Sequence, residues 1–322
     1  MAQYSVGVDI GVNITRLGIF LLDGTMEETW EICTEYKKGC KGVLKDIVYS
    51  IDKKLESRKI DKSDVIGIGV SIPGTVNKAG IVDYCVELGW GIVNVKELFM
   101  KLCKLSVVVG NKANMAALGE KWRGASKNCA NSVVLMLDKY VGCGIIANDS
   151  LILGNRGLSG EIGSMMICTI ESPSGNIKCG ELNEYASENG MLASYQYAMN
   201  GGRILSFSGS EGVTIKSIFE IGKTGEPLAQ KVIDEFGKGI AHALWNLVLV
   251  IDPEIIVVGG EVSEEGTIVL ECIQKYLEEI ANRVSPKVSL TLAELGNYAA
   301  VYGSAKYIMD VLECLDNRGR NK

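Results

Sequence analysis

Two stretches of this chain repeat one plan, and that repeat constrains the fold more than any other feature. Val6 to Thr25 reads as a strand, a turn at Asp9-Ile10-Gly11-Val12-Asn13, a second strand and then Asp23-Gly24, a dipeptide that favours hairpins. Val133 to Leu153 reads as a strand, a turn at Asp138-Lys139-Tyr140, a strand from Val141 to Ala147, a turn at Asn148-Asp149 and a third strand. Helical and strand segments follow each hairpin, so the pattern predicts a duplicated α/β domain. Val43, Leu44, Ile47, Val48, Ile51 and Leu55 keep helical spacing, and Val65 to Ile72 is a strand ending at Pro73-Gly74. Glu226 to Ile251 is a long helical pattern stopped by Asp252-Pro253, because proline cannot continue a helix. Ile255 to Val258 is a buried strand running into Gly259-Gly260, and Ala299 to Leu315 is a final helix.

With 322 residues the chain has room for two ordinary domains, and 47% hydrophobic content supplies a large core. A net charge of −6 opposes a nucleic-acid surface, and the basic tail Arg318 to Lys322 is too short to reverse it. The apolar stretch Ala243 to Ile251 is far short of a membrane span, and Met1 to Ser5 carries no secretion signal. The expected location is therefore cytoplasmic, with no nucleic-acid or membrane partner. Ten cysteines lie scattered with no C-x-x-C spacing, which reads as free thiols in a reducing compartment. His242 is the only histidine and sits in an apolar helix, where a core or interface role fits better than chemistry.

Chemistry enters at Val107-Val108-Val109-Gly110-Asn111-Lys112-Ala113-Asn114-Met115-Ala116-Ala117-Leu118-Gly119-Glu120, a strand, a sharp turn and an alanine-rich helix. Around it stand Pro73-Gly74 with Leu88-Gly89-Trp90, then Gly160-Glu161-Ile162-Gly163, Tyr185-Ala186-Ser187, and Asp252-Pro253-Glu254-Ile255-Ile256-Val257-Val258-Gly259-Gly260. In this order these fragments resemble the ROK family of repressors and sugar kinases, over nearly the whole chain. The resemblance implies an α/β protein with the duplicated actin-like (ribonuclease H-like) ATPase fold, two domains around a cleft. The expected domains are residues 1–115 plus 300–322, and 116–299. Asp9 and Asp138 would then lie on facing turns, with Gly259 and Gly260 on the adenosine side. A homodimer is expected on the same ground. A DNA-binding module is not expected, because only five residues precede Val6.

The chemical positions depart from the family pattern. The family's proton acceptor is an aspartate where this chain has Lys112, and an ammonium offers three donors and no acceptor. The first phosphate loop keeps Asp9 and Gly11, but Val12 and Asn13 replace a glycine and a hydroxyl. The second loop reads Leu137-Asp138-Lys139-Tyr140-Val141-Gly142-Cys143-Gly144, with acid and bulk where polyphosphate would sit. Gly11, Asn13, Gly142, Gly144, Gly259 and Gly260 are thus the expected positions of a degenerate nucleotide site. Ser164 replaces the family's zinc-binding histidine, and Cys179 alone cannot supply tetrahedral ligands, so no zinc is expected.

Gly74, Glu87, Asn111, Glu161 and Asn183 are the expected sugar contacts by position. The favoured function is a catalytically impaired relative, a pseudokinase that keeps a cleft for a sugar or sugar phosphate and has no intact catalytic residue. One alternative is an active hexose or N-acetylhexosamine kinase, using ATP and magnesium with a relocated acid or base such as Glu87 or Asp138. The other is a structural or interaction protein with a vestigial cleft. Lys112 is expected to form an ion pair with Asp9, or else to meet an anion on the ligand.

Overall fold

The computed structural model describes residues 3–171, 176–200, 212–281 and 288–320. The chain divides into two compact units. One comprises Met1–Cys129, Gly144–Gly160 and Glu294–Lys322, and the other Ala130–Cys143 and Glu161–Ala293. These bounds differ from the expected 1–115 and 116–299, because residue 115 falls inside a helix, Lys112–Arg123, that the first unit keeps whole.

In the first unit, β1 (Tyr4–Ile10), β2 (Ile14–Leu21) and β3 (Met26–Cys33) form an antiparallel meander. After α1 (Gly39–Arg58), β4 (Val65–Ile72) lies parallel to β1. A small antiparallel sheet of β5 (Thr75–Val76), β6 (Ile81–Tyr84) and β7 (Val93–Asn94) leads into α2 (Val95–Cys103). Then β8 (Val107–Asn111) pairs in parallel with β4 and runs straight into α3 (Lys112–Arg123). The main sheet order is β3-β2-β1-β4-β8. On α1, Val43, Leu44, Ile47, Ile51 and Leu55 are buried as the spacing required, each worth about 1.5–3 kcal/mol of apolar transfer.

The chain enters the second unit with β9 (Ser132–Leu137) and returns along β10 (Val141–Ala147) to β11 (Ser150–Leu151). The rest of the second unit starts with the hairpin β12 (Met166–Glu171) and β13 (Asn176–Glu181). There follow α4 (Leu182–Ala186), α5 (Glu188–Met199), α6 (Ile215–Lys223), α7 (Pro227–Ile251), β14 (Ile255–Gly259), α8 (Thr267–Ala281) and β15 (Ser289–Leu292). β14 lies parallel to both β9 and β15. The ends of α7 are written in its sequence. The Glu226 carboxylate caps Ala229 N–H at 2.6 Å, Pro227 occupies the first turn, and Asp252 turns left-handed at φ 50 before Pro253.

The last helix, α9 (Ala299–Arg320), belongs to the first unit and packs on β1, β4 and α3. Glycine permits this approach. A Cβ at Gly69 would lie 1.8 Å from the Ser304 carbonyl oxygen, and one at Gly303 1.7 Å from that of Met115.

One cysteine expectation fails. Cys168 and Cys179 oppose each other on β12 and β13 and form a disulfide, whereas eight others are free. Strand register brings the pair together across a sequence separation of 11, which no spacing motif records. Among the described residues, no helix is long and apolar enough to cross a membrane.

Candidate functional site

In the first unit the candidate residues gather at the carboxyl ends of three neighbouring parallel strands. Such ends are where α/β sheets hold ligands, because the strand-to-helix turns are free to carry polar groups. Asp9 of β1 lies in register with Ser71 of β4, and Ile72 with Asn111 of β8. Asp9 is 2% exposed, and its Oδ1 accepts the Ser71 hydroxyl at 2.6 Å. The partner seen at Asp9 is Ser71, which strand register sets beside the carboxylate on the adjoining strand.

Asn111 caps α3, its Oδ1 accepting the N–H groups of Ala113 (2.8 Å) and Asn114 (3.3 Å). Its Nδ2 donates to the Gly74 carbonyl at 3.1 Å, so two expected sugar contacts meet. Lys112 is half-buried at the first helical position, where the helix dipole favours an anion and disfavours an ammonium. Glu87 is half-buried in a turn closed by the bridge between Cys85 and Trp90, and the Cys85 thiol donates to the Pro73 carbonyl at 3.0 Å. Burial above all pushes that thiol up to about 11, with the Glu87 charge adding to it. The loop thereby ties Glu87 to the Pro73-Gly74 turn.

Gly11 N–H donates to the Ile14 carbonyl at 3.1 Å, inside its own turn, while Val12 is half-buried and Asn13 exposed. Gly144, an expected nucleotide position, also packs closely. A Cβ there would lie 2.4 Å from the Ala117 side chain and 2.5 Å from the Ala113 carbonyl oxygen on α3.

In the second unit, the turn at Asp138 and the Gly259-Gly260 segment do meet. Asp138 Oδ1 accepts the Glu261 N–H at 2.8 Å, and its carbonyl accepts the Glu188 N–H at 3.0 Å. Gly260 has φ +89, and a Cβ there would lie 2.7 Å from Asp138 Oδ1. A carboxylate therefore holds a backbone donor of the loop that follows Gly259-Gly260. Glu188 and Glu261, neither singled out from sequence, complete an acidic cluster there. Burial first, and then the Glu261 charge, hold the Glu188 carboxyl above its ordinary range; Lys139 opposes this and Asp138 adds to it. Gly142 is half-buried beside this turn in the chain.

Glu161 is half-buried at the start of the turn Ile162–Ser164, and burial raises its carboxyl. The neighbouring Cys143 thiol is pushed up to about 12, by burial first and the Glu161 charge second. Asn183 lies against Gly163, and its Oδ1 accepts the Val141 N–H at 2.8 Å. Its acceptor thus serves the unit's own backbone, which a position-by-position reading could not foresee. The donor set at the family's zinc position does not fit the metal: Ser164 is exposed and Cys179 is bonded to Cys168.

A model of the ROK family matches residues 5–311. A glucokinase of Halalkalibacterium halodurans is 31% identical over 312 residues, 94% of this chain and 93% of the relative. The xylose repressor of Bacillus spizizenii is 26% identical over 318 residues, 96% of this chain and 78% of the repressor. Among solved structures, a ROK family glucokinase from Streptomyces griseus, in complex with glucose and AMPPNP, matches with a TM-score of 0.76 and 26% identity. That match covers 94% of this chain and 98% of the other. The ROK hexokinase of Thermus thermophilus shares the fold, with a TM-score of 0.79 at 21% identity over 98% and 100% of the two chains.

Proposed function

Because this chain belongs to the ROK family and has its duplicated actin-like α/β fold, we propose that it is a sugar-kinase-like protein that binds a sugar or sugar phosphate without transferring phosphate. The observation that carries this reading is Lys112 at the first position of α3, directly after the Asn111 that ties the helix to Gly74. Phosphoryl transfer depends on an oriented nucleophile, seated phosphates and compensated charge. An ammonium supplies no proton acceptor, and loss of a general base costs about 10² to 10⁴ in rate. The Asp138, Glu188 and Glu261 cluster adds repulsion toward polyphosphate on the nucleotide side.

The polar groups kept for a sugar are Asn111, Gly74 and Glu161, with Glu87 and the remaining amide nitrogen of Asn183 as further contacts. A cytoplasmic homodimer is the setting we propose, on family resemblance. An active hexose kinase is the second reading, favoured by the 31% identity to a glucokinase, with Glu87 as its candidate acceptor.

Calorimetric titration with hexoses, N-acetylhexosamines, their 6-phosphates and Mg-ATP tests the proposal. It expects saturable binding of a sugar or sugar phosphate, weakened by Asn111→Ala, and no binding of Mg-ATP. Tight Mg-ATP binding would contradict it, and binding of neither class would favour a vestigial cleft.

A further inference from the structure

The hairpin of β12 and β13 joins two segments that carry expected sugar contacts. Its first strand leaves the turn that begins at Glu161, and its second runs directly into α4 with Asn183 in the first turn. At the base, Leu182 N–H donates to the Met165 carbonyl at 2.9 Å. Above it the register is Met166 with Glu181, Ile167 with Gly180, and Cys168 with Cys179. The cystine therefore staples the ladder three residues from its base on each strand, with the pairing continuing beyond it. We propose that Cys168 and Cys179 are a reversible thiol–disulfide modification site, a covalent staple that sets how firmly Glu161 and Asn183 are held.

Both cysteines are exposed, so oxidant and reductant can reach them. The other eight cysteines are free thiols. Burial pushes Cys143 and Cys272 up to about 12, and Cys40 and Cys85 up to about 11, which keeps them as unreactive thiols. Cys33 and Cys314 are exposed but unbonded.

The chemistry balances with a small-molecule disulfide of the glutathione type as oxidant. The thiolate of one cysteine attacks a sulfur of that disulfide, forming a mixed disulfide and expelling one thiolate. The second cysteine's thiolate then attacks the protein-side sulfur, forming the Cys168–Cys179 bond and expelling the other. The two protons lost by the cysteines go to the two leaving thiolates, and two small thiols result. Reduction is the reverse.

The test equilibrates the full chain in glutathione buffers from reducing to oxidising, quenches in acid, alkylates the free thiols and locates them by peptide mass spectrometry. Cys168 and Cys179 should lose alkylation together, as a mutual disulfide, when the buffer becomes oxidising and regain it on reduction; any loss at the exposed Cys33 or Cys314 should appear as a glutathione mixed disulfide instead. Hydrogen exchange over 161–167 and 180–186 should slow about tenfold or more in the oxidised protein, the order expected for closing a short loop. Cys179→Ser and Cys168→Ser should each exchange like the reduced protein in both buffers. Full alkylation of both residues in the most oxidising buffer, equal exchange in the two states, or zinc bound to the reduced pair would overturn the proposal. None of these readings depends on which ligand the protein takes.

Discussion

Glu120 shows how much one side chain of this chain can organise. It is fully buried on α3, and its carboxylate accepts the N–H groups of Ala125 (2.7 Å), Glu294 (3.2 Å) and Leu295 (2.8 Å). The end of α3 and the approach to α9 are thus fixed by one charge. Replacement by alanine leaves three part-buried backbone donors short of an acceptor, at about 1 kcal/mol each. Glu120→Ala should therefore lower the unfolding free energy by about 3 kcal/mol in urea titration, and a loss under 1 kcal/mol would contradict this clamp. Glu188 makes the opposite prediction. A carboxyl raised in the folded state contributes stability below its unfolded value and loses it as pH rises through the folded value. Glu188→Gln should accordingly raise Tm at about pH 8 and change little at about pH 4. An equal shift at both pH values would remove the acidic cluster as the cause. Sequence reading reached Lys112, Asp9 and Asn111 because each sits in a motif whose chemistry demands a residue type. It missed Ser71 and Glu188, whose roles arise from register and from a loop contact.

Elements were more legible than contacts. β4 was readable to both ends because an apolar run stops at Pro73-Gly74, and α7 because Glu226, Pro227 and Asp252-Pro253 punctuate it. The Cys168–Cys179 bond was not readable, since a hairpin's register depends on its turn rather than on its strand residues. The packing of Gly144 was hidden for a related reason: a glycine in a phosphate-loop pattern and a glycine needed for packing look alike in sequence. The packing of α3 on α9 gives a prediction at this scale. A methyl group at Gly303 would meet the Met115 carbonyl oxygen, so the helices must move apart. Overpacking of this kind costs about 1–3 kcal/mol. Gly303→Ala should shift the urea midpoint down with an unchanged slope, whereas an unaltered midpoint would mean the helices are not held this closely.

At the scale of the whole molecule, the proposed function is that of a sugar-kinase fold in which Lys112 and the Asp138, Glu188 and Glu261 cluster stand where phosphate handling would be expected. Neither Ser164 nor the Cys168–Cys179 pair offers a zinc site, so incubation with a chelator should leave Tm unchanged. A chelator-induced fall would show a structural metal after all, since such metals contribute folding free energy directly. The most direct test is sugar-dependent ATP consumption in a coupled assay, run on the parent chain and on Lys112→Asp. The account predicts no turnover for the parent across hexoses and N-acetylhexosamines. It also predicts no rescue by Lys112→Asp, because Val12 and the Asp138 cluster still oppose the phosphates. Ordinary turnover by the parent, or its recovery on that single substitution, would contradict the account.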